Sequence, residues 1–300
     1  MSGQVRRVAV VTGATGGMGR VIALELARRG MHVVTIARDP RRAEALQHEI
    51  DETTDGVLEV ITGNLSHRAG ITAAATAIRS RHGAIDVLVN NAGAHYPERR
   101  LSPDGIEMHI AVDFLAGYGL TLLLEDHLRR GRARVVNVAS DTLRDSRQVK
   151  LFGRPRPATV DSTQLDDLAA LNPAAGFVPF EAYARAKLLT VVAGYDLVRS
   201  FGGDVTVNAL HPGIVATGII DDLVPTALRP LRGVIRRFLL SPEQGAAPVL
   251  RLATDPAMHG VTGRYFVQDR DVATPAVSYD RDVQQRLAAT TDRFLSGGSR

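Results

Sequence analysis

Short apolar runs rich in β-branched residues recur along the chain, and most are separated by enough residues to form a helix. Such runs are typical of strands that are buried on both faces of a parallel sheet. The runs that predict strands lie at 8–11, 33–36, 58–62, 87–89, 135–138, 205–210 and 263–267. Strands that alternate with helices predict an α/β fold, a doubly wound parallel sheet of about seven strands with helices on both faces.

A glycine-rich turn follows the first predicted strand and precedes a helical pattern of apolar residues. The turn has the sequence TGATGGMG over residues 12–19. Gly13 permits the tight turn, Gly17 lets the backbone approach a pyrophosphate, and Gly19 lets helix and strand pack closely. Together with the free N–H groups at the start of the helix, this segment predicts a phosphate-binding cradle.

The end of the second predicted strand bears on the choice of cofactor. A dinucleotide without a 2′-phosphate calls for a carboxylate here, and Ala37 offers none. Arg38 instead supplies a guanidinium fork that matches a phosphate, so we predict NADP(H), with NAD(H) less favoured. The alternatives are that Arg38 is an ordinary surface arginine or that it pairs with Asp39.

Tyr183 and Lys187 lie four residues apart at the start of an apolar stretch that predicts a buried helix. Residues at this spacing share one helix face, so the ammonium is expected near the phenol. A positive charge there favours the phenolate, which lowers the expected pKa of Tyr183 towards working pH. Such a tyrosine is a usable general acid.

Composition excludes several classes of protein. The 300 residues are 45% hydrophobic and 23% charged, as in ordinary globular proteins. There is no cysteine, which excludes disulfides and thiolate sites, and we predict no metal site. The net charge of +4 comes from scattered arginines, so we predict no nucleic-acid partner. No signal pattern or membrane-length apolar run is evident, and a cytoplasmic location is expected.

Taken in order, these motifs resemble the short-chain dehydrogenase/reductase family. The resemblance covers about residues 5 to 270 and also includes Asn90-Asn91-Ala92-Gly93, Ser140 and His211-Pro212-Gly213 with Thr217. The segments 208–213, 241–245 and 263–266 are most similar to the retinol dehydrogenase-like branch. The resemblance implies one Rossmann domain over residues 1–300.

The resemblance also implies roles for individual residues. Tyr183 would give a proton to a carbonyl oxygen, Ser140 would hydrogen-bond the same oxygen, and Lys187 would hold the nicotinamide ribose. Asp113 occupies the position of a further catalytic residue. The implied cofactor-binding residues are Gly13, Thr15, Gly17, Met18, Gly19, Arg38, Asn64, Leu65, Asn91, Ala92, Gly93, Tyr183, Lys187, Pro212, Gly213, Ile214 and Thr217.

Two positions depart from the family pattern. Asn64 stands where the family commonly has an aspartate near the adenine, and an amide can still hydrogen-bond there. Asp113 stands where the family usually has an asparagine that anchors a proton path to the lysine. Either the backbone carbonyl of Asp113 carries that role, or a buried carboxylate near Lys187 raises the pKa of the lysine.

Two long segments are expected to border the substrate pocket. The insert 141–180 connects two catalytic residues, and within it Asp161 is a predicted cap for a short helix that carries Leu165, Leu168 and Leu171. A surface loop without function is the alternative. The segment 218–240 is basic and amphipathic, and we interpret it as a lid, with membrane contact as the alternative.

The predicted function is reduction of a ketone or aldehyde by NADPH, or the reverse reaction, on a lipophilic, secondary-metabolite-like small molecule. The alternatives are an imine or enone reductase and a non-catalytic NADP(H)-binding sensor or scaffold. A homodimer or homotetramer is expected because the family pairs helices around its fourth and fifth strands. The residues expected in that contact are Leu115, Leu120, Leu122, Leu123, Leu188, Val191 and Val192.

Overall fold

The computed structural model describes residues 6–147, 154–216 and 239–297. Its strands are β1 Val8–Thr12, β2 His32–Ala37, β3 Val57–Thr62, β4 Val87–Asn90, β5 Arg134–Val138, β6 Thr206–His211, β7 Tyr265–Val267 and β8 Arg270–Asp271. They form one sheet in the order β3-β2-β1-β4-β5-β6-β7-β8. β1 to β7 pair in parallel, and β8 pairs antiparallel with β7. The seven predicted strands are confirmed, and the eighth is a two-residue addition of exposed charged residues.

Helices cover both faces of this sheet. The helices are α1 Gly17–Arg28, α2 Pro40–Thr53, α3 Arg68–Arg81, α4 Ala116–Leu123, α5 Glu125–Gly131, α6 Pro179–Phe201, α7 Pro242–Thr254 and α8 Arg281–Leu295. A one-turn π-helix, Ile110–Leu115, leads directly into α4. The last helix, α8, has its first N–H groups capped by Asp280.

The two faces of the sheet have separate hydrophobic cores. Val33 packs on one side with residues of α1, α2 and α7, such as Leu26 and Leu46. Val34 packs on the other side with residues of α3, α4, α6 and α8, such as Ile78 and Leu188. Neighbouring strand residues point to opposite faces, so a run that is apolar throughout must be covered on both sides. The prediction of a doubly wound sheet is confirmed.

Most of the residues expected in subunit contacts are used inside the chain. Those exposed by 2% or less are Leu115, Leu120, Leu188, Val191 and Val192. All five belong to the core on the α6 side of the sheet, and Leu122 and Leu123 pack against it while staying partly exposed. The choice of these five as an interface is therefore wrong, because core side chains cannot also form a surface. A homo-oligomer remains a prediction.

The insert between β5 and α6 packs against the start of α6 without forming the expected continuous helix. Two separate 3-10 turns, Ser162–Gln164 and Leu168–Ala170, are capped by Asp161 and Asp167. Each aspartate binds a backbone N–H two residues later, and this local bonding competes with helix propagation. The cap at Asp161 is confirmed and the single helix is wrong, although its three leucines are buried as expected.

Most of the predicted lid, 218–238, and Thr217 lie outside the described residues. The residues on either side of that segment are joined, because Val215 and Leu240 form a parallel bridge with two backbone hydrogen bonds of 2.9 Å. Within the described ranges, no helix combines the length and apolar character that a bilayer crossing requires.

Candidate active site

The glycine-rich turn is braced by the end of β4. The side chain of Asn91 donates hydrogen bonds to the carbonyls of Thr12, at 3.0 Å, and Gly13, at 3.2 Å. The hydroxyl of Thr12 accepts the backbone N–H groups of Asn91 and Ala92. Asn91 therefore fixes the turn through its side chain.

The geometry of the turn fits a bound dinucleotide. Gly13 and Gly17 have φ values of +68° and +52°, a region that favours glycine. A Cβ at Gly19 would lie 2.1 Å from the carbonyl oxygen of Gly13, whereas a Cβ at Gly16 would meet nothing within 4 Å. Gly16 caps α1 without a side-chain hydrogen bond, and the first turn of α1 contains no acidic residue. The N–H groups there are thus available to a pyrophosphate.

Four other residues that were predicted to bind the cofactor differ in burial and in what they contact. The backbone of Thr15 lies within the turn, whereas the side chain of Met18 is buried in the core with α7. At the end of β3, Leu65 is buried and Asn64 is exposed, and the side-chain oxygen of Asn64 accepts the N–H of Ser66 at 3.1 Å. The amide NH2 of Asn64 can still face an adenine.

The end of β2 matches the expected cofactor preference. Ala37 is buried, and Arg38 is exposed beyond it. Asp39 is engaged elsewhere: its carboxylate accepts the N–H of Arg41 at 3.0 Å as the cap of α2 and lies 3.6 Å from Arg42. The alternative in which Asp39 holds Arg38 is therefore not the arrangement in the structure.

The turn after β6 lies at the same carboxyl edge of the sheet. Pro212 is buried, Gly213 has a φ of +99°, and Ile214 is 59% exposed. A Cβ on Gly213 would come within 2.4 Å of the side chain of Leu240, so the turn is packed against the far end of the lid segment. Ile214 leaves a large apolar surface facing outward at this edge.

Ser140, Tyr183 and Lys187 come together as their motif predicts. Ser140 follows β5, while Tyr183 and Lys187 lie in the second and third turns of α6. Ser140 is close enough to the phenol of Tyr183 to act on its pKa, and the ammonium of Lys187 lies 5.5 Å from the centre of the tyrosine ring. All three side chains are buried, Lys187 to 3% exposure.

The expected lowering of the tyrosine pKa is not what the structure gives. Burial raises the pKa of Tyr183, and the charge of Asp113 acts in the same direction. Lys187 and the hydrogen bond from Ser140 lower the pKa of Tyr183, as predicted, but their effect is smaller than that of burial. The error was to count the neighbouring ammonium without the desolvation of the phenol.

Asp113 is the second partner of Lys187. Its Oδ1 lies 3.2 Å from the lysine Nζ and accepts the N–H of Ala94 at 3.1 Å. Burial favours the neutral form of the lysine, but the charge of Asp113 prevails and raises the pKa of Lys187. Burial also raises the pKa of Asp113, which Lys187 partly offsets. The lysine further donates to the carbonyl of Val138 at 3.2 Å.

Both alternatives for Asp113 have a structural counterpart. The carboxylate faces Lys187, and the backbone carbonyl of Asp113 accepts a hydrogen bond from Thr190 at 3.0 Å. Asp113 lies in the π-helix, where one extra residue per turn reorients the backbone. Asp113 and Thr190 also line a cavity of about 20 Å³, enough for one water molecule.

A buried polar network beside Tyr183 was missed by the sequence reasoning. Glu107 and His109 have no exposed side-chain surface, and His109 Nδ1 donates to the Glu107 carboxylate at 2.8 Å. Nε2 of His109 accepts the backbone N–H of Tyr96 at 3.0 Å, so the ring is the neutral Nδ1–H tautomer. The other oxygen of Glu107 accepts from Asn172 of the insert at 2.8 Å.

This network connects three chain segments around the catalytic tyrosine. Asn172 has a φ of +56° and also binds the carbonyl of Ala182 on α6 at 3.3 Å. The rings of His109 and His95 lie 6.0 Å and 6.1 Å from the ring of Tyr183, and Phe177 of the insert lies 6.4 Å from His109. The only sequence signal was the unusual length of the insert, since Glu107 and His109 resemble surface residues in a polar stretch.

Comparisons with known proteins agree with this geometry. Residues 7–149 match the family model of the short chain dehydrogenases. The chain is 31% identical over 291 residues to human polyprenol dehydrogenase, covering 94% of this chain and 82% of that protein. It is 31% identical over 296 residues to mouse retinol dehydrogenase 14, covering 94% and 83%. A solved structure from Beutenbergia cavernae, described as an NAD(P)-dependent gluconate 5-dehydrogenase with bound NADP, superposes with a TM-score of 0.64 at 26% identity, covering 89% and 96%.

Proposed function

The chain belongs to the short-chain dehydrogenase family, in its retinol dehydrogenase-like branch, and from this we propose that it is an NADP(H)-dependent oxidoreductase that interconverts a carbonyl compound and its alcohol. The observation that carries the proposal is the meeting of three buried side chains: Tyr183 and Lys187 on α6, with the lysine Nζ 5.5 Å from the tyrosine ring, and Ser140 at the end of β5. Two donors then converge where a carbonyl oxygen gains negative charge.

The residues of this site divide the work of proton transfer. Tyr183 gives its proton to the carbonyl oxygen in reduction and takes it back in oxidation, while Ser140 holds that oxygen in place. Lys187 supplies positive charge beside the phenol, and Asp113 keeps the lysine charged and oriented. A bound nicotinamide supplies or accepts the hydride.

NADP(H) is the proposed cofactor because Arg38 is exposed directly after β2, the last residue of that strand is Ala37, and the nearby carboxylate of Asp39 is engaged as the cap of α2. Arg38 meets the 2′-phosphate, and the glycine-rich turn with the first N–H groups of α1 holds the pyrophosphate. The relative from Beutenbergia cavernae was solved with NADP, which supports the same choice.

The proposed substrate is lipophilic and has a primary or secondary alcohol or the matching carbonyl group. Tyr96 and Phe177 contribute aromatic surface against His109, whose ring lies 6.0 Å from that of Tyr183, and Ile214 contributes apolar surface at the carboxyl edge of the sheet. Two relatives are named for polyprenol and retinol, which are long isoprenoid alcohols. We therefore propose a substrate with an isoprenoid-like chain ahead of other lipophilic substrates. We also propose that the protein is a cytoplasmic homo-oligomer.

The test is a substrate panel of isoprenoid, steroid and short polar alcohols and carbonyls, run in both directions with NADP(H) and NAD(H). Absorbance of the reduced cofactor reports turnover. We expect the highest kcat/KM for the isoprenoid pair with NADP(H). Turnover of the short polar compounds alone would reject the substrate class while leaving the reaction class intact. Turnover confined to imines or activated alkenes would replace the carbonyl reaction.

A second candidate is an NADP(H)-binding sensor without turnover, and the Asp113–Lys187 ion pair is the observation that favours it. A lysine held by a buried carboxylate is less able to promote ionisation of the tyrosine. Calorimetric binding of NADPH by a protein that turns over no member of the panel would select this alternative.

A further inference from the structure

A second cluster of ionisable side chains lies at the opposite end of β2 from Arg38. His32 is the first residue of β2, Glu59 lies on the edge strand β3, and His82 directly follows α3. One ligand atom from each, Nε2 of both histidines and Oε2 of the glutamate, lies within 4.8 Å of the others. We propose that His32, Glu59 and His82 bind a divalent transition metal ion, with Zn²⁺ the best match.

The donor set suits such an ion. Two imidazoles and one carboxylate are the ligands of many three-residue zinc sites, in which water completes the tetrahedron. Nε2 of His32 lies 3.3 Å and Nε2 of His82 lies 2.8 Å from the same glutamate oxygen. Zinc–ligand bonds of about 2.0–2.1 Å set ligand atoms about 3.3 Å apart in a tetrahedron, so shifts of well under about 1 Å convert the cluster into a site.

One nitrogen of the cluster makes only a long contact. Nε2 of His32 is buried and makes no hydrogen bond within the described part of the chain. Its nearest acceptor is Oε2 of Glu59 at 3.3 Å, and a bound metal ion would give this buried nitrogen a stronger interaction than that contact. The ring of His82 stands edge-on to that of His32 with centroids 4.9 Å apart, which leaves both Nε2 atoms directed at Glu59.

The surrounding structure fixes two of the three ligands. His32 and Glu59 are on paired strands and on the same face of the sheet, two residues out of register. Arg81 donates to the other glutamate oxygen, Oε1, at 2.5 Å and so leaves Oε2 facing the imidazoles. Hydrogen bonds of this kind orient ligating carboxylates. The His32 side chain is 27% exposed, so solvent lies close to the cluster although the Nε2 atom itself is buried.

Arg81 also limits the affinity that we expect for the metal ion. Its positive charge opposes a dication, and only three protein ligands are present, so we expect a Kd on the order of 1–10 µM rather than the tighter binding of four-ligand structural sites. The cluster is at the amino end of β2, remote from the catalytic residues at the carboxyl ends, so the metal stabilises the sheet edge and takes no part in hydride transfer.

The experiment uses the untagged full chain, stripped with a chelator and titrated with Zn²⁺ in a calorimeter. We expect one Zn²⁺ per chain and a rise of about 4 °C in Tm at a free concentration near 100 Kd. Co²⁺ should give the intense visible bands of a tetrahedral site. His82→Gln keeps a hydrogen bond to Glu59 but should abolish binding.

His48→Gln is the matched control, because His48 pairs with Glu52 on an exposed helix face and should leave binding unchanged. Binding that survives in both His82→Gln and His32→Gln would overturn the proposal. So would the absence of stoichiometric Zn²⁺ and of the Co²⁺ bands in the unmutated chain, a readout that does not depend on whether a variant folds.

Discussion

The ammonium of Lys187 lies 3.2 Å from the carboxylate of Asp113, and the lysine side chain is 3% exposed and the aspartate fully buried. The carboxylate of this pair lies near the general acid, Tyr183. Its negative charge therefore contributes to raising the pKa of Tyr183. An asparagine at this position would leave the lysine to act on the tyrosine alone. Asp113 therefore adds to the rise that burial causes in the pKa of Tyr183.

Asp113→Asn should shift the pH profile of alcohol oxidation to lower pH. Oxidation requires the phenol to lose its proton, so the rate rises as pH passes the pKa of Tyr183. Removing the negative charge lowers the pKa of Tyr183, and the rise then begins at lower pH. The measurement is kcat against pH with NADP⁺ and excess alcohol. Asp196→Asn, which removes a partly buried partner of Arg199 on α6, is the control, and an unchanged profile for Asp113→Asn would contradict the role.

Tyr183→Phe should reduce turnover by orders of magnitude while NADPH affinity changes little. The substitution removes the proton donor and leaves the glycine-rich turn intact. Steady-state rates and calorimetry measure the two effects separately. Tyr195→Phe, on the same helix but bonded to Thr274, should keep the rate. More than about a tenth of the original rate in Tyr183→Phe would remove the assigned role.

Arg38→Ala should weaken NADPH binding about ten- to a hundredfold and leave NADH binding almost unchanged. Two charge-assisted hydrogen bonds to a phosphate in a partly exposed cleft contribute about 1.5–3 kcal/mol. Added salt should reduce the difference in NADPH affinity between the unmutated chain and Arg38→Ala. The measurement is the Kd of each cofactor, with Arg42→Ala as control because Arg42 lies beside Asp39. Equal affinities for NADH and NADPH in the unmutated chain would refute the preference.

Gly19→Ala should lower the stability of the fold, whereas Gly16→Ala should lower the affinity for NADPH. A Cβ at position 19 meets a backbone oxygen, so we expect a loss of about 1–3 kcal/mol or more in the free energy of unfolding. A Cβ at position 16 meets no atom of the described residues within 4 Å, so the free energy of unfolding should stay unchanged. NADPH affinity should fall. Urea unfolding and nucleotide titration distinguish the two variants. Undiminished NADPH binding by Gly16→Ala would place the pyrophosphate elsewhere.

Glu107→Gln should destabilise the fold by about 1–3 kcal/mol at neutral pH, because an amide cannot accept from both His109 and Asn172. Burial acts to raise the pKa of Glu107, but hydrogen bonds from His109 and Asn172 prevail and lower it below 4.5. A lowered pKa gives stability that is present above the unfolded-state pKa and is lost as pH falls through the folded-state value.

Unfolding free energy measured from pH 7 downwards should therefore fall below about pH 4.5 in the unmutated chain and change less in Glu107→Gln. Glu125→Gln, a surface partner of Arg129, controls for the loss of a carboxylate. Parallel pH curves for Glu107→Gln and the unmutated chain would show that Glu107 contributes no such stability.

The sequence predicted the parts of the molecule that local patterns determine. Apolar runs identified seven strands because burial on both faces leaves no polar positions in them. The sequence predicts the cap at Asp161 but does not predict that Asp167 begins a second turn. Aspartate occurs both at caps and within helices, so its presence alone does not distinguish the two.

Long-range contacts explain the remaining errors. Glu107, His109 and Asn172 are distant in sequence, and nothing local indicates that the insert folds back to pair with them. Leu188 and Val191 were assigned to an interface because a pattern of apolar residues does not say whether the same chain or another covers them. The pKa of Tyr183 depends on desolvation, which appears only once the surrounding helices are in place.

The first turn of α1 begins at Gly16 without the side-chain cap that Asp39 gives to α2. Folding therefore leaves N–H groups at the start of α1 without a side-chain partner, so a bound nucleotide that accepts from them should stabilise the fold by mass action. In a cell, copies without nucleotide should then open more often and be degraded sooner. The amount of this enzyme should then follow the supply of its own coenzyme, with no regulatory protein in between.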